Sequence, residues 1–135
     1  MFMIIKGYAS VYNIKDYHND IIKSGAFCEE VALFKNNNKN LLLLAHHNPL
    51  CPIGKITQLE EDSKGLYMEA IIDKNPYNED IVYFLEKNFI NDLSIGIIPL
   101  DYKNEKDHRI IKKAKLLEVS LVTIGANPLA KIQVQ

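Results

Sequence analysis

The chain has 135 residues, 47% of them hydrophobic and 24% charged, the composition of an ordinary soluble globular domain with one core. A net charge of −1 provides no broad cationic field for nucleic acid or an anionic membrane surface. The longest apolar runs, 41–45 and 93–100, fall far short of the roughly 20 residues that span a bilayer.

The first residues, Met-Phe-Met-Ile-Ile-Lys-Gly, lack the charged start and small-residue cleavage site of a signal peptide, which predicts a cytoplasmic location. Strand formers then dominate residues 2–12, with Gly7 marking a bulge or a close backbone approach. Residues 13–20 are polar and read as a loop, and 21–23 as a short strand. Ser24 is placed to cap a helix carrying Glu29 and Glu30 early and Phe27, Val31 and Phe34 at helical spacing. The Asn-rich tract 35–40 ends it. Two cysteines, Cys28 and Cys51, are too few for a disulfide framework and are expected as buried thiols.

Residues 41–45 form a continuous apolar run, which predicts a strand buried on both faces and leading into His46-His47. Pro49 and Pro52 then enforce an extended turn. Segments 52–60 and 65–73 alternate in polarity and are joined by four polar residues, the pattern of a hairpin. Asn75-Pro76 opens a second helix with Ile81, Phe84 and Leu85 on one face. The strand bearing Ser94 follows, then a charged turn at 101–108, a long strand region at 109–123, a break at Gly125-Ala-Asn-Pro128 and a last edge strand within 130–134. Many strands without a βαβ rhythm predict one domain over 1–135, mainly β with flanking helices, folded as an antiparallel barrel or sandwich.

Three stretches offer chemistry. Ser94 lies in Leu-Ser-Ile-Gly96, a small hydroxyl residue in an apolar strand. His46 and His47 stand where a buried strand meets a turn. Alternation sends them in opposite directions and does not say which one faces a site. Glu118 lies within an apolar strand, where an acid either points to solvent or is buried with a partner. Ser120 shares its face and is a reserve nucleophile. Together these types supply a nucleophile, a base and an orienting acid, a combination defined by geometry and not by chain order. A metal site from His18, His46, His47 and Cys51 is an alternative, but these residues lack the paired spacing of zinc ligands. No cofactor is expected.

The same motifs resemble those of the prohead (procapsid) maturation serine proteases of tailed bacteriophages, which are related to herpesvirus assembly proteases. The resemblance runs through Gly7-Tyr-Ala-Ser-Val-Tyr12, Asp20-Ile-Ile-Lys-Ser-Gly-Ala-Phe27 and His47-Asn-Pro-Leu-Cys-Pro-Ile-Gly54. It continues through Gly65-Leu66, Leu93-Ser-Ile-Gly96, Glu118-Val-Ser-Leu-Val122 and Ala126-Asn-Pro-Leu-Ala130. It implies a closed or nearly closed antiparallel β-barrel resembling the herpesvirus protease fold. It also implies His47 as general base, Ser94 as nucleophile and Glu118 as third member. That family usually has an aspartate directly after the histidine, where this chain has Asn48, and its members commonly carry a longer C-terminal tail. For the oxyanion, the backbone N–H groups of Gly125 and Ala126 are the candidates, because glycine can aim an amide inward. The implied substrate is the phage capsid or scaffold protein with its delta-domain, cleaved inside the procapsid, and self-cleavage and a homodimer or higher oligomer are further implications. A barrel of the same fold that has lost activity and serves only as a binding module for capsid assembly is the competing expectation.

Overall fold

The computed structural model describes residues 1–134. The elements are β1 (Phe2–Val11), β2 (Asp20–Ile22), α1 (Cys28–Lys35), β3 (Leu42–Ala45), β4 (Asn48–Glu61), β5 (Gly65–Asp73), α2 (Glu79–Glu86), β6 (Asp92–Asn104), β7 (Arg109–Val122) and β8 (Ile132–Val134). The β4–β5 hairpin turns where Asp62 accepts the backbone N–H groups of Lys64 and Gly65 at 2.8 and 3.0 Å. β1 adds antiparallel to β5, with a register shift between Tyr8 and Ser10. Gly7 lies at a close approach: a Cβ there would stand 2.2 Å from the Lys131 carbonyl oxygen.

β7 is the strand that positions the site. Its whole length pairs with β6 in a long antiparallel hairpin, which sets Ser94 opposite Ser120 and Gly96 opposite Glu118. Its other edge carries β2 at 109–111 and β3 at 119–121, both parallel. From β3 the sheet continues through β4, β5 and β1 to β8. The inward side chains of these strands, among them Ile5, Leu43, Ile56, Leu66, Met68, Ile72, Leu93, Leu116 and Leu121, are fully buried and form one core. α1 is tied to it by Glu30, which is 6% exposed and accepts the Leu116 N–H at 2.6 Å and Lys39 Nζ at 3.3 Å.

Several expectations change. The protein is mainly β with two helices, but the sheet is mixed, because β2 and β3 reach β7 through long crossovers and lie parallel to it. It is not a closed barrel of paired strands. Among the described residues no ladder joins β6 to β8, and the two ends meet only at an isolated bridge between Asp92 and Lys131. The first helix begins at Cys28 without a side-chain cap, since Gly25 takes φ +86° and breaks the chain after Ser24. The second begins at Glu79 and buries Ile81, Val82 and Leu85, while Phe84 is 37% exposed. β3 is buried on both faces from Leu43 to Ala45, as expected, and only Leu42 at its start faces outward. Both cysteines are free thiols, and Cys28 is exposed.

Candidate active site

β3 and β4 are joined by a two-residue hairpin loop: Ala45 pairs with Asn48, and His46 and His47 form the turn. Their φ angles are 54° and 59°. Positive φ at both central positions is the pattern of a type I′ turn, usually made by Asn-Gly. Histidine is among the few other residues that enter this region with some frequency. Two bonds donated by backbone amides hold the turn on β7: His46 N–H donates to the Leu121 carbonyl at 2.8 Å and His47 N–H to the Ser120 side-chain Oγ at 3.1 Å. The expected Pro-driven turn therefore lies earlier, and Pro49 and Pro52 are within β4.

The turn also resolves which histidine faces inward. His47 Nε2 is 3.0 Å from Ser94 Oγ, and His47 Nδ1 is 2.5 Å from Glu118 Oε1. His46 is exposed. As a carboxylate, Glu118 only accepts, so Nδ1 carries the proton and Nε2 is left to accept the Ser94 hydroxyl proton. Ser94 is 7% exposed, whereas the His47 side chain is 44% exposed and that of Glu118 16%. Nucleophile and acid thus sit in the sheet, and the base closes over them from a rim. Both ring nitrogens of His47 are engaged, which removes it from a metal set with His18, His46 and Cys51. Among the described residues there is no group of three or more His, Cys, Asp or Glu able to hold a metal.

Glu118 fits here because Gly96 lies opposite it. A Cβ on Gly96 would be 2.6 Å from Glu118 Oε1 and 3.2 Å from its carboxyl carbon. The sequence does contain this signal, a residue without a side chain two positions after the serine and hence on the same strand face. Its meaning depends on the β6–β7 register. We expect Gly96→Ala to push the carboxylate off His47 and lower turnover by about 100-fold, the scale of an ångström-sized misplacement. Steady-state rates beside a thermal melt check this, and an unchanged rate in folded protein would contradict it.

One sequence-based assignment is corrected. The Gly125 N–H is not free for an oxyanion, because it donates to Asp92 Oδ2 at 2.9 Å while Lys131 Nζ binds Asp92 Oδ1 at 2.5 Å. Gly125 is required for a different reason: a Cβ there would stand 2.7 Å from the Leu93 carbonyl oxygen. This clip brings the segment after β7 against β6, so that Ala126 lines the same recess as Ser94. The recess, about 60 Å³, is also lined by Ser10, Asp16, His18 and Asp20. Ser10 Oγ is buried with no hydrogen-bond partner among the described residues. Asp20 is held by Arg109 through two bonds of 2.8 and 2.9 Å. Burial is the main cause pushing the Asp16 carboxyl above the usual carboxylate range.

The family model of the caudovirus prohead serine proteases matches residues 1–135. The chain belongs to this family. It is 33% identical over 133 residues to the prohead protease of Enterobacteria phage HK97, covering 96% of this chain and 58% of the relative. It is 33% identical over 126 residues to the prohead protease of Escherichia phage T5, covering 91% and 58%. The chain thus spans less than two thirds of the length of these curated relatives. Among solved structures, the bacteriophage T4 capsid assembly protease superposes with a TM-score of 0.71 at 13% identity, covering 88% of this chain and 80% of that one. The KSHV protease bound to a hexapeptide phosphonate inhibitor gives a TM-score of 0.67 at 12% identity, covering 100% and 65%. At these identities the structural matches establish the fold alone, which is the herpesvirus protease fold expected from the motifs. In this chain, the hydroxyl, imidazole and carboxylate converge from β6, the β3–β4 turn and β7.

Proposed function

We propose that this chain is the serine endopeptidase of phage head maturation, cleaving capsid or scaffold protein at its delta-domain, and itself, inside the procapsid. The observation that carries the reading is the single imidazole within hydrogen-bond reach of both Ser94 Oγ and Glu118 Oε1, at 3.0 and 2.5 Å. The two phage relatives named as prohead proteases support the biological setting.

In this mechanism Ser94 Oγ attacks the scissile carbonyl carbon as its proton passes to His47 Nε2. Glu118 holds Nδ1–H and stabilises the imidazolium that forms. His47 then gives the proton to the leaving amine, and a water activated by the same nitrogen hydrolyses the acyl-enzyme. The Ala126 N–H is the proposed oxyanion donor, since Ala126 and Ser94 line the same recess, and removing such a donor costs about 3–4 kcal/mol of transition-state stabilisation. The recess receives a substrate side chain next to the scissile bond. The competing reading, an inert assembly module, gives no reason for Ser94, His47 and Glu118 to lie within hydrogen-bond reach of one another.

Co-expression with the cognate phage major capsid protein tests the reading. Active protease shortens the capsid protein, read as a new, smaller intact mass. A capsid protein of unchanged mass beside folded protease would sink it.

A further inference from the structure

Ser120 is 0% exposed, yet two parts of the site meet on its oxygen. The hydroxyl proton goes to Glu118 Oε2 at 2.6 Å, and the same oxygen accepts the backbone N–H of His47 at 3.1 Å. A serine hydroxyl has one proton and two lone pairs. With the proton on Glu118, only a lone pair can face the amide, so the two contacts fix each other. The circuit closes through the base, because Glu118 Oε1 holds His47 Nδ1 at 2.5 Å. Backbone amide, hydroxyl, carboxylate and imidazole form one ring of hydrogen bonds, anchored opposite Ser94 in the β6–β7 ladder.

We propose that Ser120 is a positioning residue that joins the Glu118 carboxylate and the left-handed turn at His47 into one rigid unit, keeping Nε2 on Ser94. The inference rests on the roles given above to His47, Ser94 and Glu118. It also removes Ser120 as a reserve nucleophile, since its proton is committed and its oxygen is enclosed. The turn needs such a tie. His47 holds φ 59°, where non-glycine residues are uncommon, and its N–H has no other acceptor among the described residues. Without the hydroxyl, Glu118 Oε2 loses its donor and the carboxylate is held only through Oε1 by His47 Nδ1.

The test uses a fluorophosphonate probe, whose capture by the active serine separates binding (KI) from chemistry (kinact). Ser120→Ala should lower kinact by about 10- to 100-fold, the scale of lost alignment, with KI unchanged within about twofold. Because part of the effect of Ser120 passes through Glu118, the same substitution in a Glu118→Ala background should cost several-fold less than in the wild type, the remainder being the direct tie to the His47 amide, a coupling that independent sites do not show. Should Ser120→Ala fail to fold, Ser120→Cys carries the same comparison: a weaker donor of similar size, with kinact below that of the wild type. A folded Ser120 variant with wild-type kinact, or an equal loss with and without Glu118, overturns the proposal. Labelling that survives Ser94→Ala, or no labelling of the wild type, defeats instead the nucleophile assignment beneath it, and the proposal falls with it.

Discussion

Ser94→Ala is expected to abolish proteolysis, with turnover falling by about 10⁶-fold, the loss seen when the nucleophile of a serine protease is removed. The fold should survive. The substitution deletes one oxygen whose only hydrogen-bond partner among the described residues is His47 Nε2, and the flanking Leu93 remains buried in the core. The melting temperature should therefore stay within about 3 °C of the wild type, the shift that roughly 1 kcal/mol produces in a domain of this size. Cleavage of the capsid protein and the thermal melt are measured on the same preparation. Loss of cleavage with an unchanged melt supports Ser94 as nucleophile. Retained cleavage contradicts it.

Glu118→Gln is expected to lower kcat by about 10³- to 10⁴-fold with little change in KM, the consequence of holding the base in the wrong tautomer. The geometry explains why a nearly isosteric change is so costly. Ser120 Oγ–H needs an acceptor at the position of Oε2, 2.6 Å away. The carbonyl oxygen of the glutamine satisfies it, which turns the amide NH₂ toward His47 Nδ1. That nitrogen must then accept, so the ring proton moves to Nε2, where it points at Ser94 and cannot take the serine proton. Steady-state kinetics on the folded variant check this. A Glu118→Gln enzyme within a few-fold of the wild type would show that the acid does not set the tautomer.

The elements that follow from local alternation were legible in the sequence. β1, the β4–β5 hairpin and β7 lie where their patterns put them, whereas β6 runs on to Asn104 through the first half of the expected charged turn; the three side chains of the site were visible as chemical types in three separate motifs. What depends on long-range register was not. Choosing His47 over His46 requires the left-handed turn, and two adjacent histidines carry no Asn-Gly signal for it. Gly96 reads as strand punctuation until β7 places Glu118 across from it. Gly125 was assigned by conformational freedom, whereas its amide is taken by Asp92, 33 positions earlier. The sheet was expected to be antiparallel because parallel pairing between β3 and β7, more than seventy positions apart, leaves no mark in either strand. The start of α1 was misplaced because Ser24 suits a cap but Gly25 does not continue a helix.

If one imidazole activates one serine, the adduct left by a fluorophosphonate marks that serine. Wild-type protein is treated with the probe, digested and sequenced by tandem mass spectrometry. A single phosphonyl group is expected on Ser94, absent when His47 is replaced by Ala. An adduct on Ser120 or another serine, or labelling of Ser94 that does not depend on His47, would contradict it.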